Sequence, residues 1–148
     1  MAEKIIHACG GDVQGKKIAV LGLTFKPNTD DMRDSPSLDI IPLLQKAGAT
    51  IKAFDPQGME EAKLLLKDIV YGRDPYEIMN GADALLIITE WNEFRALDLA
   101  KVKTLLKSPL IVDLRNIYPF AEIEKQGLEY HSIGRSVIRG TGKKERAA

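Results

Sequence analysis

Charge and polarity gather in one stretch of this chain, FKPNTDDMRD, running from Phe25 to Asp34. Lys26 and Arg33 stand near its two ends, with Asp30, Asp31 and Asp34 between and beside them. Two cations so placed suit an anionic ligand, because charge-assisted donors make the shorter and stronger hydrogen bonds to phosphate. The same cations could instead pair with the three aspartates, and residue types alone leave both readings open. The stretch follows an apolar run, Ile18, Ala19, Val20, Leu21 and Leu23, and precedes Ser35-Pro36, a serine N-cap with proline at the first helical position. A buried strand therefore feeds a polar loop, and the loop feeds a helix start whose free N–H groups and partial positive charge favour an anion. In an open α/β sheet, ligands bind at this place, past the carboxyl end of a strand.

Other residues carry weaker signals. Arg115 follows Asp113 closely at the end of the buried run PLIVD. Its planar fork suits phosphate or a base edge, and a structural Arg–Asp pair is the plainer alternative. Trp91, the one tryptophan, could stack on a base or simply anchor its loop. Asp55 occupies the strand-end position where dinucleotide-binding folds hold a ribose, but Pro56 after it favours a helix cap. The first turn also lacks GxGxxG: Leu23-Thr24-Phe25 follows Gly22, placing bulk where a pyrophosphate needs bare backbone. Cys9, His7 and His131 have no triad spacing, no metal-ligand pattern occurs, and nothing forms a complete active site, so neither catalytic nor metal residues are assigned.

The elements that must position these residues follow from periodicity and punctuation. Residues 2–9 form a short helical segment stopped by Gly10-Gly11. After the first strand, Ile40, Ile41, Leu44 and Ala47 have helical spacing closed by Gly48, with Pro42 predicting an irregular first turn. Strands are predicted at Thr50–Phe54, Ile69–Tyr71, Asp83–Thr89, Pro109–Asp113 and Leu128–Ile133. Helices are predicted at 60–67, 75–80, 97–106 and 119–126, with Asp55-Pro56 and Asp74-Pro75 as start signals. About six strands alternating with helices give an α/β, Rossmann-like, doubly wound parallel sheet, for which right-handed crossovers favour the order 3-2-1-4-5-6. The switch point then lies between strands 1 and 4. The 25–34 loop and the 89–95 loop (TEWNEFR) flank it, with 113–118 (DLRNIY) next door.

Composition narrows the class. The 148 residues make about one domain, 45% hydrophobic and 28% charged. Lys plus Arg equals Asp plus Glu at 21 each, which gives no bulk electrostatic case for nucleic acid or a membrane surface. No apolar run approaches the roughly 20 residues of a membrane span. A single cysteine excludes an internal disulfide and a cysteine-based metal cluster, and fits a reducing compartment. Together these predict a soluble, cytoplasmic domain.

The segments GLTFKPNTDDMRDSPSLDIIPLLQKAGATIKAFDP, ADALLIITEWNEF and IVDLRNIY resemble the C-terminal domain of the UDP-glucose/GDP-mannose dehydrogenase family, over about Gly15 to Arg135. FKPNTDDxRxSPS with a downstream DxRN is a specific combination. The resemblance implies an enzyme with an N-terminal NAD-binding domain, a long central helix and a C-terminal nucleotide-sugar domain. Such an enzyme oxidises a sugar C6 alcohol to a carboxylate in two NAD-dependent steps through a cysteine-bound thiohemiacetal. It implies that Phe25, Lys26 and Arg115 contact the UDP-sugar, and that Arg33 contacts NAD held mainly by the other domain. UDP-glucose is the expected substrate, and a homodimer the expected assembly of the whole enzyme. Residues 1–14 match the end of the central helix, 15–138 the UDP-binding domain, and 139–148 a disordered tail. The family's GxGxxG, its cysteine motif and its catalytic lysine and acid have no counterpart here, and Cys9 does not inherit the nucleophile's role. The chain therefore resembles an excised domain unable to catalyse alone. A sister dehydrogenase for another UDP-sugar or GDP-mannose, a stand-alone nucleotide-binding module and a structural dimerisation domain are the alternatives.

Overall fold

Apolar residues without alternation mark strands buried on both faces, and the centre of this molecule is built from them. The computed structural model describes residues 1–140. Its strands are β1 (Lys17–Leu21), β2 (Thr50–Phe54), β3 (Ile69–Tyr71), β4 (Ala84–Ile87), β5 (Leu110–Asp113) and β6 (Glu129–Ser132). They form one parallel sheet in the order β3-β2-β1-β4-β5-β6, as the alternation of strands and helices predicts. Every residue of β4 and β5 is buried. Side chains along β1 alternate between two cores: Ile18 and Val20 face one, Ala19 and Leu21 the other.

Helices α1 (Ala2–Ala8), α2 (Ser37–Lys46) and α3 (Met59–Leu65) close the first core with Ile5, Ile40, Ile41, Leu44 and Ala62. Helices α4 (Pro75–Met79), α5 (Asn92–Arg95), α6 (Leu99–Leu105) and α7 (Phe120–Gln126) close the second with Ile78, Met79, Phe94, Val102 and Ile123. The sheet is thus doubly wound.

Local departures from the sequence expectation have physical causes. Helix α2 starts at Ser37 with Pro36 at its N-cap position, one residue later than Ser35-Pro36 suggests. Ser35 still accepts from Ser37 N at 3.2 Å, but its hydroxyl also donates to Leu23 O at 2.6 Å, serving the loop as well as the helix. The first turn carries short i→i−3 bonds, Leu38 to Ser35 and Asp39 to Pro36, and the helix continues through Pro42. The single turn α5 falls in the TEWNEFR stretch, too short for periodicity to register. At the far edge, Ile138 pairs with Tyr130 through both backbone bonds. Arg139, expected to open a disordered tail, instead lies 3.2 Å from Glu129; residues 141–148 of that expected tail lie outside the described residues.

One buried side chain ties the sheet to the loop that follows β1. Asp55, fully buried just past β2, accepts from Leu23 N (2.7 Å) and Thr24 N (3.1 Å) through Oδ2. Through Oδ1 it accepts from Gln57 N (2.9 Å) and Gly58 N (2.7 Å), at the start of α3. Helix α3 begins only at Met59, with Gly58 at its N-cap position and no side-chain cap, so Asp55 closes the turn ahead of the helix instead of capping it, and the same carboxyl bridges to the neighbouring strand's loop.

Two stability predictions follow from these buried groups. Asp55→Ala leaves four backbone donors without their acceptor, and should lower the unfolding free energy by about 3 kcal/mol or more in urea denaturation. A loss under about 1 kcal/mol would show that water or relaxation replaces the carboxyl. His131 on β6 is held below the ordinary imidazole range chiefly by burial, against the opposing pull of Glu129, with Arg139 and Lys4 pushing it further down. A depressed histidine stays neutral in the folded chain while the unfolded chain takes up a proton, so stability falls as pH drops below about 6.5. Urea midpoints measured at about pH 7.5 and about pH 5.5 should differ less for His131→Gln than for the unaltered chain.

Candidate functional site

The loop from β1 to α2 is built on Gly22. Its φ of 94° is unfavourable to side chains, and a Cβ there would lie 2.5 Å from Thr89 Cβ and N. The closeness joins β1 to β4 at the switch point. Leu23 and Thr24 turn inward and are fully buried, so the bulk that disagrees with a dinucleotide fingerprint is packed beneath the loop. Thr89 Oγ1 donates to Thr24 O at 2.7 Å, and Trp91 Nε1 to Thr24 Oγ1 at 3.3 Å. Ser35 and Ser37 hydroxyls both donate to Leu23 O, at 2.6 and 2.7 Å. Phe25 N donates to Asp31 O at 2.9 Å and closes the neck, while Asn28 and Asp34 take left-handed backbone angles of 65° and 58°. Short polar residues and asparagine tolerate such turns. The outcome is a cinched loop that leaves Phe25, 43% exposed, and Lys26 on its outer side.

Arg33 lies on the same loop, and its fork meets Asp31: Nε to Oδ1 and Nη2 to Oδ2, each at 3.0 Å. That contact holds the Asp31 carboxyl below the usual carboxylate range and raises the arginine. Both groups are accessible, so the pair is weak and can be exchanged for another anion. The pairing alternative holds for Arg33 in this state. Arg33, Asp31, Met32 and Leu38 line an open cavity of about 650 Å³ that reaches Glu61 and Leu65 of α3.

Arg115 lies on the other side of the switch point. Asp113, fully buried, accepts from Arg115 N (2.8 Å), Ile117 N (2.8 Å) and Tyr130 Oη (2.6 Å). The guanidinium is therefore not an ion partner of Asp113, as the plainer sequence alternative had it. Arg115 Nε donates to Ile88 O at 2.7 Å and stands 3.8 Å from Glu90. With Pro36 and Ile40 of the α2 start, and with Ile88 and Leu114, it lines a cavity of about 170 Å³.

Phe25, Lys26 and Arg33 thus share one loop, and Arg115 sits on the next but one, joined to it through Thr24–Thr89 and Ile88–Arg115 rather than by direct contact. Trp91 is 5% exposed and bound by its indole N–H, so it anchors its loop and is not offered to a base. Asp55 is likewise spent on backbone. Burial, and then the nearby charge of Asp55, raise the Glu93 carboxyl. Sequence reasoning missed the polar frame beneath the loop (Thr24, Ser35, Ser37 and Thr89). The one signal for it was a run of short hydroxyl residues at strand ends, which is too common to single out. Among the described residues no His, Cys, Asp and Glu cluster could hold a metal. The arrangement offers cationic donors to an anion and no nucleophile–base pair.

Known proteins resemble this chain in sequence and in fold. The chain is 59% identical over 135 residues to UDP-glucose 6-dehydrogenase of Rhizobium meliloti, covering 91% of this chain and 31% of the relative. It is 51% identical over 132 residues to UDP-glucose 6-dehydrogenase TuaD of Bacillus subtilis, covering 88% and 29% respectively. The chain therefore spans about a third of the length of these curated relatives. A UDP-glucose dehydrogenase structure from Pyrobaculum islandicum superposes with a TM-score of 0.75 at 29% identity, covering 91% of this chain and 29% of that one. Residues 19–119 match the UDP binding domain of the UDP-glucose/GDP-mannose dehydrogenase family. With a cinched strand-end loop bearing Lys26 and a second bearing Arg115, on a 3-2-1-4-5-6 sheet, the chain belongs to that family as its UDP binding domain.

Proposed function

We propose that this chain is the substrate-binding part of an NAD-dependent UDP-glucose 6-dehydrogenase, taking the UDP-glucose that the whole enzyme would convert to UDP-glucuronate. The observation that carries this is the placing of Lys26 and Arg115 on two loops beside the β1–β4 switch point, within the span of the family match. Lys26 and Arg115 supply charge-assisted donors to the nucleotide diphosphate and sugar. Phe25, exposed next to Lys26, supplies an apolar face. Arg33 is assigned to the cofactor, exchanging its accessible Asp31 partner for a phosphate.

The residues present fit only a small part of a dinucleotide site. Gly22 is filled against Thr89, and Leu23 and Thr24 leave no bare turn to cradle a pyrophosphate. NAD, which accepts the hydride when bound, would be held mainly by another domain, with Arg33 reaching it from here. Cys9 is buried in the core at the end of α1. On this reading the chain alone positions a substrate and does not oxidise it, and α1 is the end of the helix joining the two halves. The family resemblance also supports a homodimer for the whole enzyme. A cytoplasmic setting fits the soluble nucleotide sugar, and no described helix is long and apolar enough to cross a membrane.

Calorimetric titration of the chain with UDP, UDP-glucose, GDP and NAD tests the assignment. UDP and UDP-glucose should bind, with GDP and NAD much weaker. Lys26→Ala should weaken UDP binding by at least ~1.5 kcal/mol, the scale of one charged hydrogen bond. Equal affinity in the variant would remove Lys26 from the site, and tighter GDP than UDP would transfer the domain to a sister dehydrogenase. Cys9→Ser should leave UDP affinity unchanged; a large loss would place Cys9 in the site.

A further inference from the structure

The loop that carries Arg115 is held from a direction that the ligand residues do not explain. The β5–β6 ladder ends at Asp113 and Ser132. Beyond it, Asn116 turns its side-chain amide onto the backbone of Ile133: Nδ2 donates to Ile133 O at 2.9 Å, and Ile133 N donates to Oδ1 at 2.8 Å. An amide has one donor edge and one acceptor edge, like a peptide group, so Asn116 extends the ladder after the β5 backbone has turned away. It does this at a φ of 56°, a conformation that asparagine tolerates better than most residues. Arg115 is thereby pinned on both sides, by Asp113 through its own N–H and by Asn116 through the next residue, while its Nε reaches Ile88 O.

We infer that Asn116 is a positioning residue for Arg115, setting the guanidinium against Ile88 O and toward the switch-point cleft by clamping the loop to Ile133. The inference rests on the proposed role of Arg115, but the clamp itself is a matter of geometry. Asn116 is exposed, so a merely structural role would be small, and its removal should act on Arg115 rather than on the fold. Nothing about the ligand is needed to see this effect, because the Arg115 Nε–H bond reports on it directly.

The test uses the ¹⁵N-labelled full chain, with the Arg115 Nε–H signal identified by its loss in Arg115→Lys and Arg33 Nε–H as the internal reference. Asn116→Gly keeps the left-handed turn without strain and removes the clamp. Asn116→Asp keeps the acceptor for Ile133 N and loses the donor. Hydrogen exchange at Arg115 Nε should speed up about fivefold in Asn116→Gly and less in Asn116→Asp, with Arg33 unchanged. UDP affinity should fall by a similar factor, and Arg115→Ala should abolish the effect of Asn116→Gly on affinity. Unchanged exchange at Arg115, or equal acceleration at Arg115 and Arg33, overturns the inference. Failure of the unaltered chain to bind UDP would count against the proposed function alone, and exchange at Arg115 would still decide the clamp.

Discussion

The site depends on one buried carboxyl accepting from backbone on two sides. Asp55 takes Leu23 N and Thr24 N with one oxygen and Gln57 N and Gly58 N with the other. Chain leaving the end of a parallel strand carries donors that the ladder no longer satisfies, and burial makes each expensive unless it is paired. Here a single side chain just past β2 satisfies donors after both β1 and β2. The cost of burying Asp55 is offset by fixing the first residues of the candidate ligand loop to the sheet. That is why Leu23 and Thr24 can point inward and Phe25 and Lys26 outward.

From that fixed base the loop is tightened by short polar residues rather than by packing. Ser35, Ser37 and Thr89 hydroxyls reach carbonyls of Leu23 and Thr24, and Trp91 donates to Thr24 Oγ1. Each bond is modest by itself, near 1 kcal/mol. Their joint effect is to restrict a loop that would otherwise lose conformational entropy when a ligand arrives. The same logic governs the β5 loop, where Asp113 gathers the Arg115 and Ile117 N–H groups and the Tyr130 hydroxyl. Burial and the adjacent Asp113 hold the Tyr130 phenol well above its usual value, so it remains a hydrogen-bond donor.

The fold was largely legible in the sequence because its signals are strong and mutually consistent. Unbroken apolar runs at Ile18–Leu21, Ala84–Ile87 and Leu110–Val112 can hardly be anything but buried parallel strands, and the helices between them then dictate strand order. Helix starts were less legible: Ser35 divides its hydroxyl between Ser37 N and Leu23 O, a choice that depends on a residue twelve positions away, and the N-cap position falls on Pro36. Within the site, Lys26, Arg33 and Arg115 could be picked out by type and place, but not what their side chains touch. The Asp31–Arg33 fork and the turn of Arg115 from Asp113 to Ile88 O are tertiary facts. Asp55 shows the limit most clearly. Asp-Pro suggests a cap, whereas the carboxyl closes the turn before α3, whose N-cap position is Gly58, and holds a loop on the neighbouring strand.

The distribution of charge is consistent with the proposed place of this site in one half of a larger enzyme. Lys26 and Arg33 are exposed and so pay little desolvation while they wait. Exposed charges are also screened by water, and their attraction for a diphosphate is correspondingly weak until water is excluded. The described chain has no element that closes over the Phe25–Lys26 side of the loop, so it can supply orientation but not a low dielectric. A facing domain would change that by covering the loops, strengthening each charged contact and bringing the cofactor to a substrate already held in register. On the proposed function, a rigid, open, cationic half-site makes physical sense if the remaining half arrives by closure, and that need would account for stiffening the loops with buried bonds while leaving their cations in solvent.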